Sequence, residues 1–272
     1  MDCPNGFHLP RPPFDRMTSA LHVLAFDSST EWLSAALDLG QGRVVARTEP
    51  GGARASQRLL PLVQELLAEA GITLREIGLI GFGAGPGAFT GLRAACAAAQ
   101  GLAFGLDISV VPVNTLLAVA ASAALPDDAH VLVANDARMG ELYWARCVRA
   151  DTAWRLQGAA RVDTPAAAAA AWSLELGDAP ASTLTLCGNA WDAHRTALAA
   201  SLPAGWAPAL AAARTVAPSA VAVAALARAA HARGEALPAA MAQPIYVRNK
   251  VALTTVEREA LAEVGAQRRG LI

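Results

Sequence analysis

The first clear β-strand pattern in the chain is LHVLAFD, residues 21–27, an apolar run that ends in an aspartate. A second run of the same kind, VLVAND, occupies residues 131–136 and also ends in an aspartate. Short apolar runs bounded by turn residues are typical of buried strands. From each run onward the pattern predicts the order strand, strand, strand, helix, strand, helix. We therefore predict a duplicated βββαβα unit in which Asp27 and Asp136 occupy equivalent positions.

This repeat predicts the fold class and the division of the chain. It is typical of an α/β protein with two RNase H-like lobes facing a cleft, the architecture of the actin, Hsp70 and sugar-kinase (ASKHA) proteins. We assign residues 19–113 to the N-terminal lobe and residues 114–245 to the C-terminal lobe. Residues 1–18 are rich in proline and are expected to form a flexible extension, and residues 246–272 a C-terminal tail.

The composition excludes several classes of protein. With 54% hydrophobic and 17% charged residues among 272, the chain can build a core and is not intrinsically disordered. A formal charge of -1 lacks the basic excess that is usual in dedicated nucleic-acid binders. The four cysteines lie far apart, and none of the five histidines pairs at i,i+3 or i,i+4. We therefore expect neither a disulfide scaffold nor a metal site.

One stretch could be mistaken for a membrane span. Residues 108–126 carry no charged side chain over a length that could cross a bilayer. Pro112, Asn114 and Thr115 interrupt this stretch, so we predict a buried strand, a turn and a core helix instead. The sequence contains no convincing targeting segment, and we expect a cytoplasmic protein that does not bind membranes.

The most specific stretch is GFGAGPGAFTGLR, residues 81–93, which leads into a predicted helix. Glycines there leave backbone N–H groups accessible, and a helix N-terminus beyond them can hold an anion. The stretch has no lysine, so it is not a P-loop, and it follows the fourth strand rather than the first, unlike a Rossmann motif. Two interpretations stay open: a tight turn that allows close packing, or a phosphate-binding loop.

The first turn after each aspartate suggests a nucleotide site that retains only some of the residues such a site needs. Asp27-Ser28-Ser29 stands where actin-like ATPases place their first phosphate loop, with a carboxylate for the water shell of Mg²⁺. A hydrogen-bonded β-turn is the alternative. In the second copy, bulky Arg138 and Met139 follow the aspartate. The candidate residues of this vestigial nucleotide site are Asp27, Ser28, Ser29, Gly85, Gly87, Asp136 and Gly188. An autonomous ATP-binding phosphotransferase or ATPase is therefore one functional hypothesis.

Two predicted helices suggest a protein interface. The helix at residues 56–70 has leucines on nearly all sides, so Leu60 and Leu67 are left for a partner once one face covers the sheet. The helix at residues 91–104 is mostly alanine, and small residues let helices approach closely. If these helices lie side by side, we expect them to form a surface of the N-terminal lobe through which two copies of the chain dimerise. The alternative is that both helices pack entirely within the chain.

Five segments together carry a resemblance to a known family. They are LAFDSSTEWLSAAL (24–37), SQRLLPLVQELL (56–67), GAGPGAFTGLRAACAAAQGLA (83–103), DARMGELYWA (136–145) and QPIYVRNK (243–250). With these segments the chain resembles the TsaB (YeaZ) family. The resemblance implies a two-lobed actin-like fold and a role in making threonylcarbamoyladenosine, the modified base next to the anticodon in certain tRNAs. It implies no catalytic residue in this chain, because the homologous partner TsaD transfers the threonylcarbamoyl group.

The resemblance also implies the partners. The family uses the two N-terminal-lobe helices to form homodimers or, alternatively, to dock TsaD, and the small ATPase TsaE joins the pair. It implies that tRNA is bound only through the complex. The resemblance implies no cofactor for this chain alone. ATP and Mg²⁺ are candidate ligands at the interface between this chain and its partners. The implied interface residues are Gln57, Arg58, Leu59, Leu60, Leu62, Val63, Leu66, Leu67, Arg93, Ala97 and Gln100.

Overall fold

Two β-sheets divide the protein into two α/β lobes. The computed structural model describes residues 21–150, 153–180 and 183–248. The predicted extension at residues 1–18 and most of the predicted tail at 246–272 lie outside this part of the chain. The first half contributes β1 (His22–Asp27), β2 (Trp32–Asp38), β3 (Val44–Pro50), α1 (Ala55–Ala70), β4 (Ile77–Gly85), α2 (Phe89–Leu106), β5 (Ser109–Asn114) and α3 (Thr115–Ser122).

The remaining elements follow in a similar order. They are β6 (His130–Arg138), β7 (Glu141–Ala150), β8 (Ala153–Leu156), β9 (Arg161–Asp163), α4 (Pro165–Leu176), β10 (Leu184–Cys187), α5 (Ala190–Ala193), α6 (Arg195–Ser201), α7 (Ala207–Ala211), α8 (Ala220–Ala232) and β11 (Leu237–Pro238). The predicted fold class, two duplicated RNase H-like lobes of the ASKHA type, is confirmed.

The first sheet has the strand order β11-β5-β4-β1-β2-β3 and is covered by helices on both faces. Strands β1 and β4 are parallel neighbours and almost wholly apolar, as is usual for strands buried on both sides. Alternate residues of β1 enter different clusters: Leu24 and Phe26 face α1 and α2, whereas Val23 and Ala25 face α8. Helices α1 and α2 therefore lie side by side on one face of this sheet.

Residues 220–238 correct the predicted division between the lobes. We assigned them to the C-terminal lobe, but α8 packs on the first sheet and β11 pairs with β5 at its edge. The alanine-rich surface of α8 lets the helix lie very close to β4. A Cβ atom added to Gly81 would stand 2.6 Å from the Cβ of Ala227. The chain thus returns to the first lobe after completing the second.

The second sheet has the order β10-β6-β7-β8, with β9 also paired to β7. Its core is aromatic: Trp172 packs against Trp144, Trp191 and Trp206. The third strand of the predicted repeat is divided here into two short strands, β8 and β9. The last helix of the predicted repeat is also divided, because His194 adopts a non-helical backbone conformation between α5 and α6.

The apolar stretch at residues 108–126 forms β5 and α3, as predicted. Asn114 caps α3: its Oδ1 accepts hydrogen bonds from the N–H groups of Leu116 and Leu117. Within the three described ranges, none of the helices combines the length and the apolar character needed to cross a membrane.

Candidate functional site

The outer face of α1 and α2 is uncharged over most of its length. On α1, Gln57, Leu60 and Gln64 are exposed, and Leu60 retains 46% of its accessible surface. On α2, Ala97 and Phe104 are exposed, and Phe104 lies near the end of the helix with 81% of its surface accessible. The sequence-based set of interface residues did not include Phe104. Its seven-residue spacing from Ala97, about two helical turns, is the signal that could have added it.

Several predicted interface residues are instead part of the lobe's own core. Leu67 is only 8% exposed, which corrects the expectation that it faces a partner. The N–H of Ile72 donates to the Leu67 carbonyl, and Ile72 packs against the same core, so the turn after α1 covers this end of the helix. The other members of this buried group are Leu59, Leu62, Val63 and Leu66.

Arg58 is held by ion pairs on the side of α1 that faces β3. Its Nε lies 2.7 Å from Glu49 Oε1, and its Nη1 lies 2.6 Å from Glu65 Oε1. Hydrogen bonds to these carboxylates raise the pKa of Arg58, and the hydrogen bond from Arg58 lowers the pKa of Glu65. These charges neutralise one another beside the outer face, which leaves Gln57 and Leu60 as the predicted α1 residues that are open to a partner.

The predicted α2 residues Arg93 and Gln100 lie next to the segment 242–248. The Nε2 of Gln100 donates to the Ala242 carbonyl at 2.9 Å. The Nε of Arg93 donates to the Tyr246 hydroxyl at 3.1 Å, and its guanidinium lies 3.6 Å from the centroid of the Phe89 ring. Gln100 is therefore partly covered within the chain, whereas Ala97 has an exposed position between the two.

Asp27 is buried at the end of β1. Its Oδ1 accepts hydrogen bonds from the N–H and the hydroxyl of Ser29 at 2.9 and 2.7 Å. Its Oδ2 is buried without a hydrogen-bond partner, and a Cβ added to Gly83 would stand 1.8 Å from this atom. Burial raises the pKa of Asp27 to about 6, although both hydrogen bonds from Ser29 lower it.

The glycine-rich turn packs directly on the turn at residues 27–29. The N–H of Ala88 donates to the Ser29 carbonyl at 2.7 Å, and the Ser28 hydroxyl donates to the Gly91 carbonyl at 2.9 Å. A Cβ atom at Gly87 would stand 2.4 Å from the Ser29 oxygen, and one at Gly91 would stand 1.8 Å from the Ser28 oxygen. These glycines are required for close backbone packing, which was the first of the two interpretations of this stretch.

This arrangement does not fit the magnesium and phosphate chemistry of an actin-like ATPase. The Asp27 carboxylate is enclosed by Ser29 and Gly83 rather than presented to a ligand. The backbone of the glycine-rich turn lies directly against residues 28–29, where a phosphate would have to approach. Within the described ranges, no group of three His, Cys, Asp or Glu side chains is arranged to hold a metal ion.

A cleft of about 410 Å³ separates the two lobes beside this turn. Of the predicted nucleotide-site residues, Ser29, Gly87 and Asp136 line it, whereas the other four do not. The remaining walls include the start of α2, strands β6 and β7 with the turn between them, the residue Asn189 after β10, and the C-terminal segment. They include Phe89, Asn135, Arg138, Tyr143, Asn189, Tyr246 and Arg248.

Asp136 forms a polar cluster on the second-lobe side of the cleft. Its Oδ1 accepts a hydrogen bond from the Arg138 N–H at 2.9 Å and lies 3.1 Å from Nε2 of His194. Its own N–H donates to Oδ1 of Asn189 at 2.8 Å. Sequence reasoning missed His194 because it stands 58 residues from Asp136. Gly188 lies just beyond β10, beside Asn135.

Comparison with known proteins assigns the chain to a family. A sequence model of the family described as "TsaD: tRNA N6-adenosine threonylcarbamoyltransferase" matches residues 50–255. The chain is similar to the tRNA threonylcarbamoyladenosine biosynthesis proteins TsaB of Haemophilus influenzae and Escherichia coli, with 42% identity over 130 residues in each case. These matches cover 47% of this chain and 55% and 56% of the two relatives, so the chain matches little more than half the length of either relative.

Two solved structures extend the likeness to most of this chain and to the whole length of the solved chains. A Pseudomonas aeruginosa protein described as similar to peptidase YeaZ has 36% identity and a TM-score of 0.72. YeaZ from Pseudomonas aeruginosa has 35% identity and a TM-score of 0.69. Each match covers 84% of this chain and 100% of the other. The resemblance seen in the five sequence segments is thus confirmed, and the chain belongs to the TsaB (YeaZ) family.

Proposed function

We propose that this chain is a non-catalytic, dimerising subunit in tRNA threonylcarbamoyladenosine biosynthesis. In this proposal it activates a TsaD-type transferase by docking it through α1 and α2. The names of the two TsaB relatives support the pathway, and the name of the matching family model supports the identity of the partner. Such a protein works in the cytoplasm, where tRNA is modified, and it meets tRNA only through the complex.

The observation that carries the proposal is the uncharged outer face of α1 and α2. Leu60 is a large apolar side chain left half-exposed between Gln57 and Gln64, and the neighbouring helix presents Ala97. An exposed leucine loses water-accessible area when it is covered, and an alanine surface lets another helix approach closely. An interface of ordinary size needs about 800 Å² from each partner, which two helices of 16 and 18 residues can provide.

A second copy and the transferase would compete for the same face. The proposal therefore expects the homodimer to dissociate when a TsaD-type protein is added. A TsaE-type ATPase joins the pair, and any ATP and Mg²⁺ belong to the complex interface rather than to this chain. This division of roles agrees with the enclosed position of Asp27, which leaves this chain without an accessible carboxylate at its first turn.

The proposal is tested by reconstitution with a matched pair of leucine variants. Purified TsaD-type and TsaE-type proteins are supplied with tRNA, a threonylcarbamoyl donor and ATP, with and without this chain. We expect transfer only when this chain is present together with its partners. Leu60→Glu should weaken both dimerisation and partner binding by roughly 100-fold, because a charge would be buried in each interface. Binding is measured by sedimentation and calorimetry.

Leu174→Glu is the control, because Leu174 is an 88% exposed leucine on α4 of the other lobe. It should dimerise, bind and stimulate as the unmodified chain does. Transfer by this chain alone, or unchanged association of Leu60→Glu, would contradict the proposal. Leu67→Glu is unsuitable for this test, since Leu67 lies in the core and its replacement would unfold the lobe.

A further inference from the structure

The last described residues, 242–248, form a segment that we call the C-terminal strap. Its first half is attached to the N-terminal lobe. The Ile245 N–H donates to the Ala84 carbonyl at 2.7 Å, and the Ile245 side chain packs against the core of that lobe. The next residue, Tyr246, lies on the first turns of α2: its ring centroid is 5.6 Å from that of Phe89.

The second half of the strap is attached to the other lobe. Val247 packs against the core cluster of the second sheet. The Nη2 of Arg248 donates to the Ala137 carbonyl at 3.1 Å and forms an ion pair with Glu141 across the β6–β7 turn. The Arg248 side chain is only 18% exposed, and its guanidinium lies 5.8 Å from the centroid of the Tyr143 ring. Neighbouring residues of the strap thus contact different lobes.

The glycine-rich turn makes room for this crossing. Gly85 has φ +117°, a backbone conformation that side-chain-bearing residues rarely adopt. A Cβ atom at this position would stand 2.7 Å from the Ile245 carbonyl oxygen. Gly85 was a candidate phosphate-loop residue, but in the structure it accommodates the strap.

We propose that the C-terminal strap is a clamp that sets how far the interlobe cleft is closed. Tyr246 attaches the strap to α2, and Arg248 attaches it to the β6–β7 turn. These two positioning residues stand on opposite sides of the cleft and both line it. A charge-assisted contact that is partly buried is stronger than an exposed one. The ion pair of Arg248 with Glu141 is therefore expected to contribute more to holding the lobes together than the contacts of Tyr246 do. Its loss should let the lobes move apart.

The distance between the lobes in the full chain tests the clamp directly. Spin labels are placed at Glu31 and Ala193, two exposed positions on opposite lobes that lie outside the strap. The three described cysteines are buried, and Cys3 is replaced by serine so that only the introduced sites react. Pulsed electron–electron double resonance then gives the distribution of distances between the two labels.

Arg248→Gln should shift this distribution to longer and broader distances. Tyr246→Phe keeps the ring but removes the hydroxyl that accepts from Arg93, and it should cause a smaller shift in the same direction. Arg233→Gln is the control, because the Arg233–Glu235 ion pair is an exposed local contact after α8, and it should leave the distribution unchanged. Circular dichroism and thermal unfolding establish that each variant is folded. An unchanged distribution in both strap variants would overturn the clamp.

The clamp has a consequence for docking that rests on the proposed function, because Tyr246 also positions the first turns of α2. The affinity for a TsaD-type partner is therefore measured on the same variants. A weaker affinity of Arg248→Gln, beyond that of Arg233→Gln, supports the link between cleft closure and docking. Equal affinities would overturn that link. If the unmodified chain binds no such partner, the proposed function fails, and the distance measurement alone still decides the clamp.

Discussion

Asp27 and Asp136 occupy equivalent places in the two lobes but have opposite surroundings. Asp27 is enclosed by its own turn and by β4: the N–H and the hydroxyl of Ser29 donate to one carboxylate oxygen, and Gly83 lies against the other. Asp136 lines the open cleft and makes its contacts with the side chains of Asn189 and His194 and with Arg138. The same position in a repeated fold therefore supports a packing role in one lobe and a polar cluster beside the cleft in the other.

The difference arises from the residues that come directly after β4 and β10. From the end of β4 into α2 the chain carries Gly83, Gly87 and Gly91, and these allow β4, α2 and the turn between them to approach residues 27–29. After β10 a single glycine, Gly188, packs on the Ala134 carbonyl oxygen, at 2.2 Å from a Cβ added there. Asn189 follows, and its side chain accepts a hydrogen bond from the Asp136 N–H. The two turns therefore differ in where they leave the carboxylate: Asp136 lines the cleft, whereas Asp27 does not.

The largest effect is expected where the first turn is most tightly packed. Gly91→Ala would place a Cβ atom 1.8 Å from the Ser28 carbonyl oxygen, so the backbone of one segment must move. We expect the free energy of unfolding to fall by about 3 kcal/mol or more, as is typical of overpacking that backbone cannot absorb. Urea denaturation of the purified chain measures this loss.

Gly101→Ala is the matched control on the same helix. No atom lies within 4 Å of a Cβ added there, and the residue is exposed. Alanine is a better helix former than glycine, so this variant should gain roughly 0.5–1 kcal/mol. If both variants changed stability equally, helix propensity rather than packing on residues 27–29 would explain the glycines, and the contrast between the two turns would be lost.

The second prediction concerns the charge of Asp27. Its pKa of about 6 in the folded chain lies above the ordinary value of 3.8, so the folded chain binds this proton more tightly than the unfolded chain. The resulting stability is complete below about pH 4 and is lost as the pH rises through 6. Between about pH 4.5 and 7.5, the unmodified chain should lose about 2 kcal/mol more stability than Asp27→Asn does.

Ser29→Ala sharpens this measurement. The Ser29 hydroxyl donates to the Asp27 carboxylate and lowers its pKa, so its removal should move the pH-dependent loss to higher pH. The experiment is a series of urea titrations across that pH range for the three proteins. Parallel stability profiles for the unmodified chain and Asp27→Asn would show that burial does not perturb this carboxyl.

The sequence predicted those features that depend on local pattern. The apolar runs ending at Asp27 and Asp136 located the first strand of each lobe, and the repeat of element order located the fold. Prediction from the sequence failed where segments distant along the chain come into contact. Leu67 has the same helical phase as Leu60, but the turn through Ile72 covers only one of them. The contact between Arg93 and Tyr246 joins residues 153 positions apart, which no local periodicity encodes.

The smallest effect is expected in the polar cluster of Asp136 in the second lobe. His194→Ala removes one of the groups that contact Asp136 Oδ1, but Arg138 still donates its N–H to that atom and its guanidinium lies 3.3 Å from Oδ2. Because both side chains retain some access to water, we expect a loss of only about 1 kcal/mol in urea denaturation at neutral pH. His194→Gln, which can still donate a hydrogen bond to Asp136, should recover most of it. If His194→Ala lowered the free energy of unfolding as much as Gly91→Ala does, the polar cluster of Asp136 would be as important for stability as the packing around Asp27. The contrast between the two turns would then be wrong.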